Sequence, residues 1–356
     1  MSDDLFSQLF ELFDQPGPVN WKLAAEVARH LAGEQQPIEP WAAEEFRELT
    51  RLAEYQVEQV APFRSIPVPD VLPTDGRGWV ERNLESYGPL VEPFANSVTS
   101  EGPVAPLMAQ LAPAIVGLQV GSLVGSLSSW VVASFDAGLP QHRPGPLSIV
   151  VPNIEVLARS VETDHREVRL WVVANEVAFR AVSQLPWIED HLADLIGRYA
   201  DAVKIDPTQL SGLMAGGTDP AAIEAAIEEA GGIESILGGM EADGPRLELE
   251  AFLGTVTGCG RLLARRSIHE LAPNFDRITA ERDLARTEAD SQTPLGVGPV
   301  PTEATRLGDD FNQEVERRYG DDALETLWAD PTRMPSAAEL RDPTAWAARV
   351  LLDGWN

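Results

Sequence analysis

One cysteine in 356 residues, Cys259, excludes an intramolecular disulfide and a cysteine-based zinc cluster. Lysine is almost as scarce, with only Lys22 and Lys204, and the other cations are arginines. Positive charge as a whole is in short supply: 27 Lys+Arg stand against 56 Asp+Glu, a formal net charge of −29. Nucleic-acid binders neutralise phosphates with clustered cations, so that partner class is excluded. An anionic lipid surface would repel the chain for the same reason. There is no G-x-S-x-G nucleophile elbow, no Walker-type loop and no internal repeat. Gly296-Val297-Gly298-Pro299 lacks the strand-to-helix context that a dinucleotide fingerprint needs. The N-terminus opens Met1-Ser2-Asp3-Asp4, with acids where a secretory signal carries cations, so a reducing, cytoplasmic location is expected.

What is present is apolar material: 44% of the residues are hydrophobic, enough for a packed core despite the acidity. The longest uncharged stretch runs between Glu101 and Asp136, with Ala114 to Phe135 as its interior. It meets the length criterion for a spanning helix. Five serines and Gln119 dilute it, however, and its flanks are acids rather than Lys or Arg. Small residues recur every four positions, at Gly117, Gly121, Gly125, Ser129 and Ala133. That column favours close helix–helix approach, so a buried helix punctuated by Pro113 and Gly138 is expected rather than a membrane span.

Most of the remaining chain has helical periodicity. Trp41, Phe46, Leu49, Leu52, Ala53, Val57 and Val60 form one apolar stripe ending before Pro62. Phe63 to Gly78, with three prolines, reads as a connector, and Trp79, Leu84 and Phe94 mark another helical region. Leu147 to Asn153 is the best strand candidate. Strong helices are expected over Arg166 to Gln184, from Pro186-Trp187 through Tyr199, and over Leu247 to Ile268. Asp206-Pro207 and Asp219-Pro220 look like helix starts, as do Ser336 with Glu339 and Asp342-Pro343 near the C-terminus. One short β element beside long helices points to a mainly α fold of the α+β type. Length alone favours two domains.

The helix from Arg166 is apolar on nearly every face around Glu176, which marks it as buried. A carboxylate there is expensive unless paired or coordinated. The bland partner is Arg180, one turn later at i+4; the functional reading is a general base.

At this segment the chain resembles the zincin-like metallopeptidases of type 2, a mostly actinobacterial family also labelled as hydrolases associated with deazaflavin-cofactor biosynthesis. The resemblance runs almost end to end. It is carried by Gly17-Pro18-Val19-Asn20-Trp21, by Gly117 to Gly125 with Phe135-Asp136 and Leu139-Pro140, and by Val151-Pro152-Asn153. Leu185-Pro186-Trp187 with His191-Leu192, Leu327-Trp328 through Pro335, and Asp342-Pro343-Thr344-Ala345-Trp346 continue it. The resemblance implies a zincin-like helical fold with a small β element beside the central helix. It also implies one domain over 1–356, with any sub-boundary near 200–220.

Active members of that family carry HExxH, where two imidazoles one turn apart hold zinc and the glutamate acts as base on the zinc-bound water. Here the five residues are Asn175-Glu176-Val177-Ala178-Phe179, so the base position persists and both histidine positions are degenerate. The acidic ligand that a later helix would supply aligns with Gly254, in Phe252-Leu253-Gly254-Thr255. Only five histidines exist, none spaced i,i+4, so His30, His142, His165, His191 and His269 do not rebuild a site by sequence. Cys259 lacks a neighbouring base and reads as a buried thiol, and Arg261, Arg265 and Arg266 read as internally paired cations.

The expectation is a catalytically inactive zincin-like protein, acting through a protein partner, an active paralogue or a small ligand, with no cofactor. The competing expectation is a zinc-dependent hydrolase with relocated ligands.

Overall fold

The computed structural model describes residues 17–63, 67–68, 70–97, 105–139, 145–203, 242–290 and 300–352. The helix starts expected at Asp206-Pro207 and Asp219-Pro220, most of the 200–220 sub-boundary, and the 296–299 loop lie outside these residues.

The described chain is mainly α. Helices α1 (Trp21–Leu31) and α2 (Trp41–Val60) lead into strand β1 (Val71–Thr74), then α3 (Gly76–Asn83), a short 3-10 turn, α4 (Gly88–Ser97) and α5 (Ala105–Leu127). Strand β2 (Leu147–Val150) is followed by α6 (Val151–Val161), α7 (His165–Ser183) and α8 (Ile188–Ala202). The second half comprises α9 (Asp243–Ile268), α10 (Phe275–Asp290), α11 (Thr302–Tyr319), α12 (Asp321–Leu327) and α13 (Pro343–Leu351). β1 and β2 pair in parallel, with Val71 opposite Leu147 and Thr74 opposite Val150.

The organising element is α7. Asp164 caps its start by accepting a hydrogen bond from the Arg166 amide at 3.0 Å. Fourteen of its nineteen residues are buried. It packs against α2, α6 and α9, so its apolar residues find neighbours on several faces rather than on one stripe.

Two other contacts depend on glycine. Along α5, Gly117, Gly121 and Gly125 lie against Asn20, Ala24 and Ala28 of the α1 region, so two columns of period four face each other. A Cβ on Gly121 would stand 2.5 Å from the Ala24 carbonyl oxygen. The column stops there: Ser129 and Ala133 lie beyond the helix, and Ala133 forms an antiparallel bridge with Ile149. Along α9, Gly254 and Gly258 meet Ala304 and Gly308 of α11 backbone to backbone.

Three sequence expectations are corrected. Pro113 lies inside α5 rather than at its start, and its carbonyl accepts from the Asn20 amide at 2.8 Å. The strand at 147 ends at Val150, and Pro152 sits in the first turn of α6, where its fixed φ and missing N–H are tolerated. Part of the 63–78 connector is strand β1, where Val71 is the inward partner of Leu147. Among the described residues no helix is long and apolar enough to cross a membrane.

Candidate active-site cleft

The loop after α5 runs back alongside β2. The Val150 amide donates to the Val132 carbonyl at 2.8 Å, and the Ser148 amide donates to Ser134 Oγ at 2.8 Å. This pins residues 132–136 between the sheet and the middle of α7. A small, partly open cleft of about 50 Å³ lies there, between this loop, α7, α9 and α10. One side is apolar: Val132, Phe135, Trp171, Val172 and Phe179. The other is charged: Asp136, Arg261, Arg282 and Arg286, with Asn175, Glu176 and Thr257 between them.

Glu176 is buried, with 4% of its surface exposed, and faces this cleft. The Arg180 pairing expected from i+4 spacing is not what satisfies it. The Phe135 amide donates to Glu176 Oε2 at 2.9 Å and to Oε1 at 3.2 Å. Arg180 instead donates to the Gly145 carbonyl at 3.0 Å. Burial holds the Glu176 carboxyl well above the usual carboxylate range, and the Asp136 charge adds to this. Backbone hydrogen bonds from Phe135 and Ser134 oppose the shift without cancelling it.

The two positions flanking this carboxyl on α7 are engaged elsewhere. Asn175 Nδ2 donates to the Trp171 carbonyl at 2.8 Å, turning the amide back along its own helix. The Phe179 ring stacks on Phe135, centroids 5.2 Å apart at 27°. Beneath Phe179 passes Gly260 of α9, where a Cβ would stand 3.0 Å from Phe179 Cα.

From α9 the residues that reach the cleft are Thr257 and Arg261. Gly254 is not brought there. It lies on the α11 side of the helix, where a Cβ would come within 2.4 Å of the Ala304 carbonyl oxygen. Arg261 holds Asp283 with both terminal nitrogens, at 2.9 and 2.7 Å. Thr257 Oγ1 donates to the Leu253 carbonyl at 2.8 Å.

α10 supplies two residues that the sequence reading missed. Arg282 pairs with Asp136 through both Nε and Nη2 and lies over the Trp130 ring, 4.9 Å from its centroid. Asp136 also accepts from the Val132 amide at 3.0 Å. Arg286, one turn on, donates from Nη2 to the Val300 carbonyl at 2.9 Å, while its buried Nε has no partner among the described residues. The i,i+4 spacing of two arginines was visible in the sequence, but in an acidic helix it looks like a solvated face.

The histidines do not converge. His165 pairs with Glu155 at 2.8 Å, His191 packs edge-on against Phe252, and His30 and His269 are exposed. His142 lies outside the described residues. Among the described residues no group of three or more His, Cys, Asp or Glu is arranged to hold a metal ion. Zinc needs three or four N, S or carboxylate donors. Around Glu176 the available groups are an amide bonded to its own helix, a phenyl ring, a hydroxyl, guanidiniums and one carboxylate, Asp136, which Arg282 already holds, so the donor set does not fit zinc. Cys259 is a buried thiol, as expected, with burial pushing its pKa up, and it does not line this cleft. Arg265 and Arg266 are paired, with Asp276 and Asp309 and with Glu316 and Asp321 respectively.

A family model described as zincin-like metallopeptidase matches residues 19–347. The fold is similar to the crystal structure of "a putative hydrolase with a novel fold" from Chloroflexus aurantiacus. The TM-score is 0.67 at 20% identity, covering 95% of this chain and 100% of that one. No curated protein matches the chain.

Proposed function

From the premise that this chain belongs to the zincin-like metallopeptidase family, we propose that it carries the family's scaffold without zinc catalysis and acts by binding in the cleft. The observation that carries this reading is the fate of the positions around Glu176. Asn175 is bonded to the Trp171 carbonyl, and Phe179 is stacked on Phe135. The third side is walled by Arg261, Arg282 and Arg286. A dication placed among guanidiniums is repelled at a distance where the interior screens poorly. Without a metal-bound water, Glu176 has no nucleophile to activate. The partner is a small ligand, a protein or an active paralogue.

Metal analysis tests the reading directly. After dialysis against zinc, cobalt or manganese and removal of free ion, metal should remain far below one equivalent. Stoichiometric metal lost on Glu176→Gln would overturn it, as would chelator-sensitive hydrolysis of casein or a peptide library. Reconstruction gives the converse test. Asn175→His with Phe179→His and Thr257→Glu places three zinc donors around the cleft and is expected to create measurable zinc affinity. Gly254→Glu is not the variant to use, because its side chain would collide with the Ala304 backbone.

A further inference from the structure

The chain carries a net charge of −29, yet one internal cleft collects three arginines. Their bonds do not exhaust them equally. Arg261 is held by Asp283 and lies 4.0 Å from Asp309, and Arg282 is held by Asp136. Among the described residues Arg286 faces no carboxylate at bonding distance: it donates to a neutral carbonyl, and its Nε is buried without an acceptor. Only 3% of its surface is exposed. A buried guanidinium edge without an acceptor costs far more than one left in water, so a negative oxygen brought to it would be stabilised. Burial lowers the pKa of Arg286, with Arg282 and Arg261 pressing the same way and Asp136 and Asp283 opposing. Three guanidiniums thus share one field, and the carboxylates set against them, Asp136, Asp283 and Asp309, are already engaged by Arg282, Arg261 and Arg265.

The opposite wall is of another kind. Phe135 and Phe179 are stacked, and Val132, Trp171 and Val172 complete an apolar surface across from the arginines. A ligand that satisfies both walls has an anionic head and an apolar body. Carboxylate suits the head, because a planar guanidinium edge pairs with it through two parallel hydrogen bonds.

We propose that the cleft is a binding site for a small carboxylate with a short apolar body of a few carbons, its head on Arg286 beside Arg282 and its body against the Phe135–Phe179 wall. This rests on the reading of the cleft as a binding site without zinc.

The probe is propionate against propionamide, titrated by calorimetry into the whole protein, with inorganic phosphate as a third arm. The free acid is expected to bind saturably, at least about tenfold tighter than the amide, since one charge-assisted pair is at stake. Phosphate should bind more weakly than the acid, having a head but no body. Arg286→Met should lose the preference for acid over amide. If that variant does not fold, Asn175→Trp, which fills the cleft mouth from a half-buried position, should abolish binding with the melting transition retained. Equal binding of acid and amide, no binding of either at millimolar concentration, or phosphate binding as tightly as the acid would overturn the proposal. Metal content read on the same samples separates the two readings. Absent metal with no acid binding removes this site alone, whereas stoichiometric metal removes the reading beneath it.

Discussion

The two faces of α9 are built on opposite terms. Towards α11 it presents Gly254 and Gly258, and the backbones approach until no methyl group fits: a Cβ on Gly308 would stand 1.9 Å from the Gly254 carbonyl oxygen. Asn312 Nδ2 staples this seam by donating to the Thr255 carbonyl at 3.1 Å, and further along the same two helices Arg265 pairs with Asp309 and Arg266 with Glu316. Towards the cleft the same helix presents Thr257 and Arg261, and space and charge replace contact. The seam has a single solution, set by shape. The cleft is a balance of charges, so its occupants can change chemistry while the helices stay where the seam puts them. Fold-level kinship therefore speaks for the seam and not for the cleft.

The comparison can be broken first on the charged side. Arg282→Met leaves Asp136 buried with one backbone donor, and breaking such a pair from one side costs about 3–5 kcal/mol. Urea unfolding should show that loss, and adding Asp136→Leu should recover much of it. If the double variant were as unstable as the single one, the balance described for the cleft would be wrong.

Next comes the seam. Gly308→Ala inserts a methyl group into backbone atoms that cannot move independently. Overpacking of this kind costs about 1–3 kcal/mol, which exceeds the gain of up to about 1 kcal/mol in helix propensity. Gly197→Ala in α8, where nothing lies within 4 Å of the new Cβ, should be neutral or stabilising. Equal effects of the two substitutions in thermal melts would erase the distinction between seam and surface.

Glu176 gives a subtler effect with a definite sign. Its folded pKa is raised, so between the ordinary glutamate range and that raised value the folded state holds a proton the unfolded state has lost. Stability from this group is complete below the unfolded pKa and falls as pH rises through that window. Glu176→Gln should flatten this part of the stability–pH curve, leaving the variant comparatively more stable at the alkaline end. An unchanged slope in the variant would mean that the carboxyl is ionised throughout. The smallest effect belongs to the exposed surface: Arg306→Ala, which breaks pairs with Glu303 and Asp310, should change stability by less than about 1 kcal/mol.

Much of this architecture was legible in the sequence. The buried character of α7, the stripe of α2 and the proline-led start at Asp342-Pro343 follow from local rules and stand in the structure. The period-four glycines of α5 were legible as a close-contact face, and the structure adds their partner, α1. What could not be read was whatever depends on chain segments meeting from afar. Glu176 was assigned the partner nearest in sequence, Arg180, but it is satisfied by the Phe135 amide, 41 positions away. Arg282 and Arg286 had the spacing of a solvated face, and only the return of α10 against residues 130–138 buries them. Gly254 aligned with a ligand position, but helix rotation places Thr257 and Arg261 at the cleft instead.

The loop that fastens to α7 carries a consequence for what the cleft can recognise. Proteins that grip extended peptides commonly offer a row of main-chain donors and acceptors along an exposed sheet edge. On the 132–136 stretch, the Phe135 amide is taken by Glu176 and the Val132 amide by Asp136, while the Val132 carbonyl is turned to β2. An incoming polypeptide therefore cannot zip onto these groups as an added strand. Whatever enters must be told apart by its own substituents, as a lock reads the notches of a key and not its shaft.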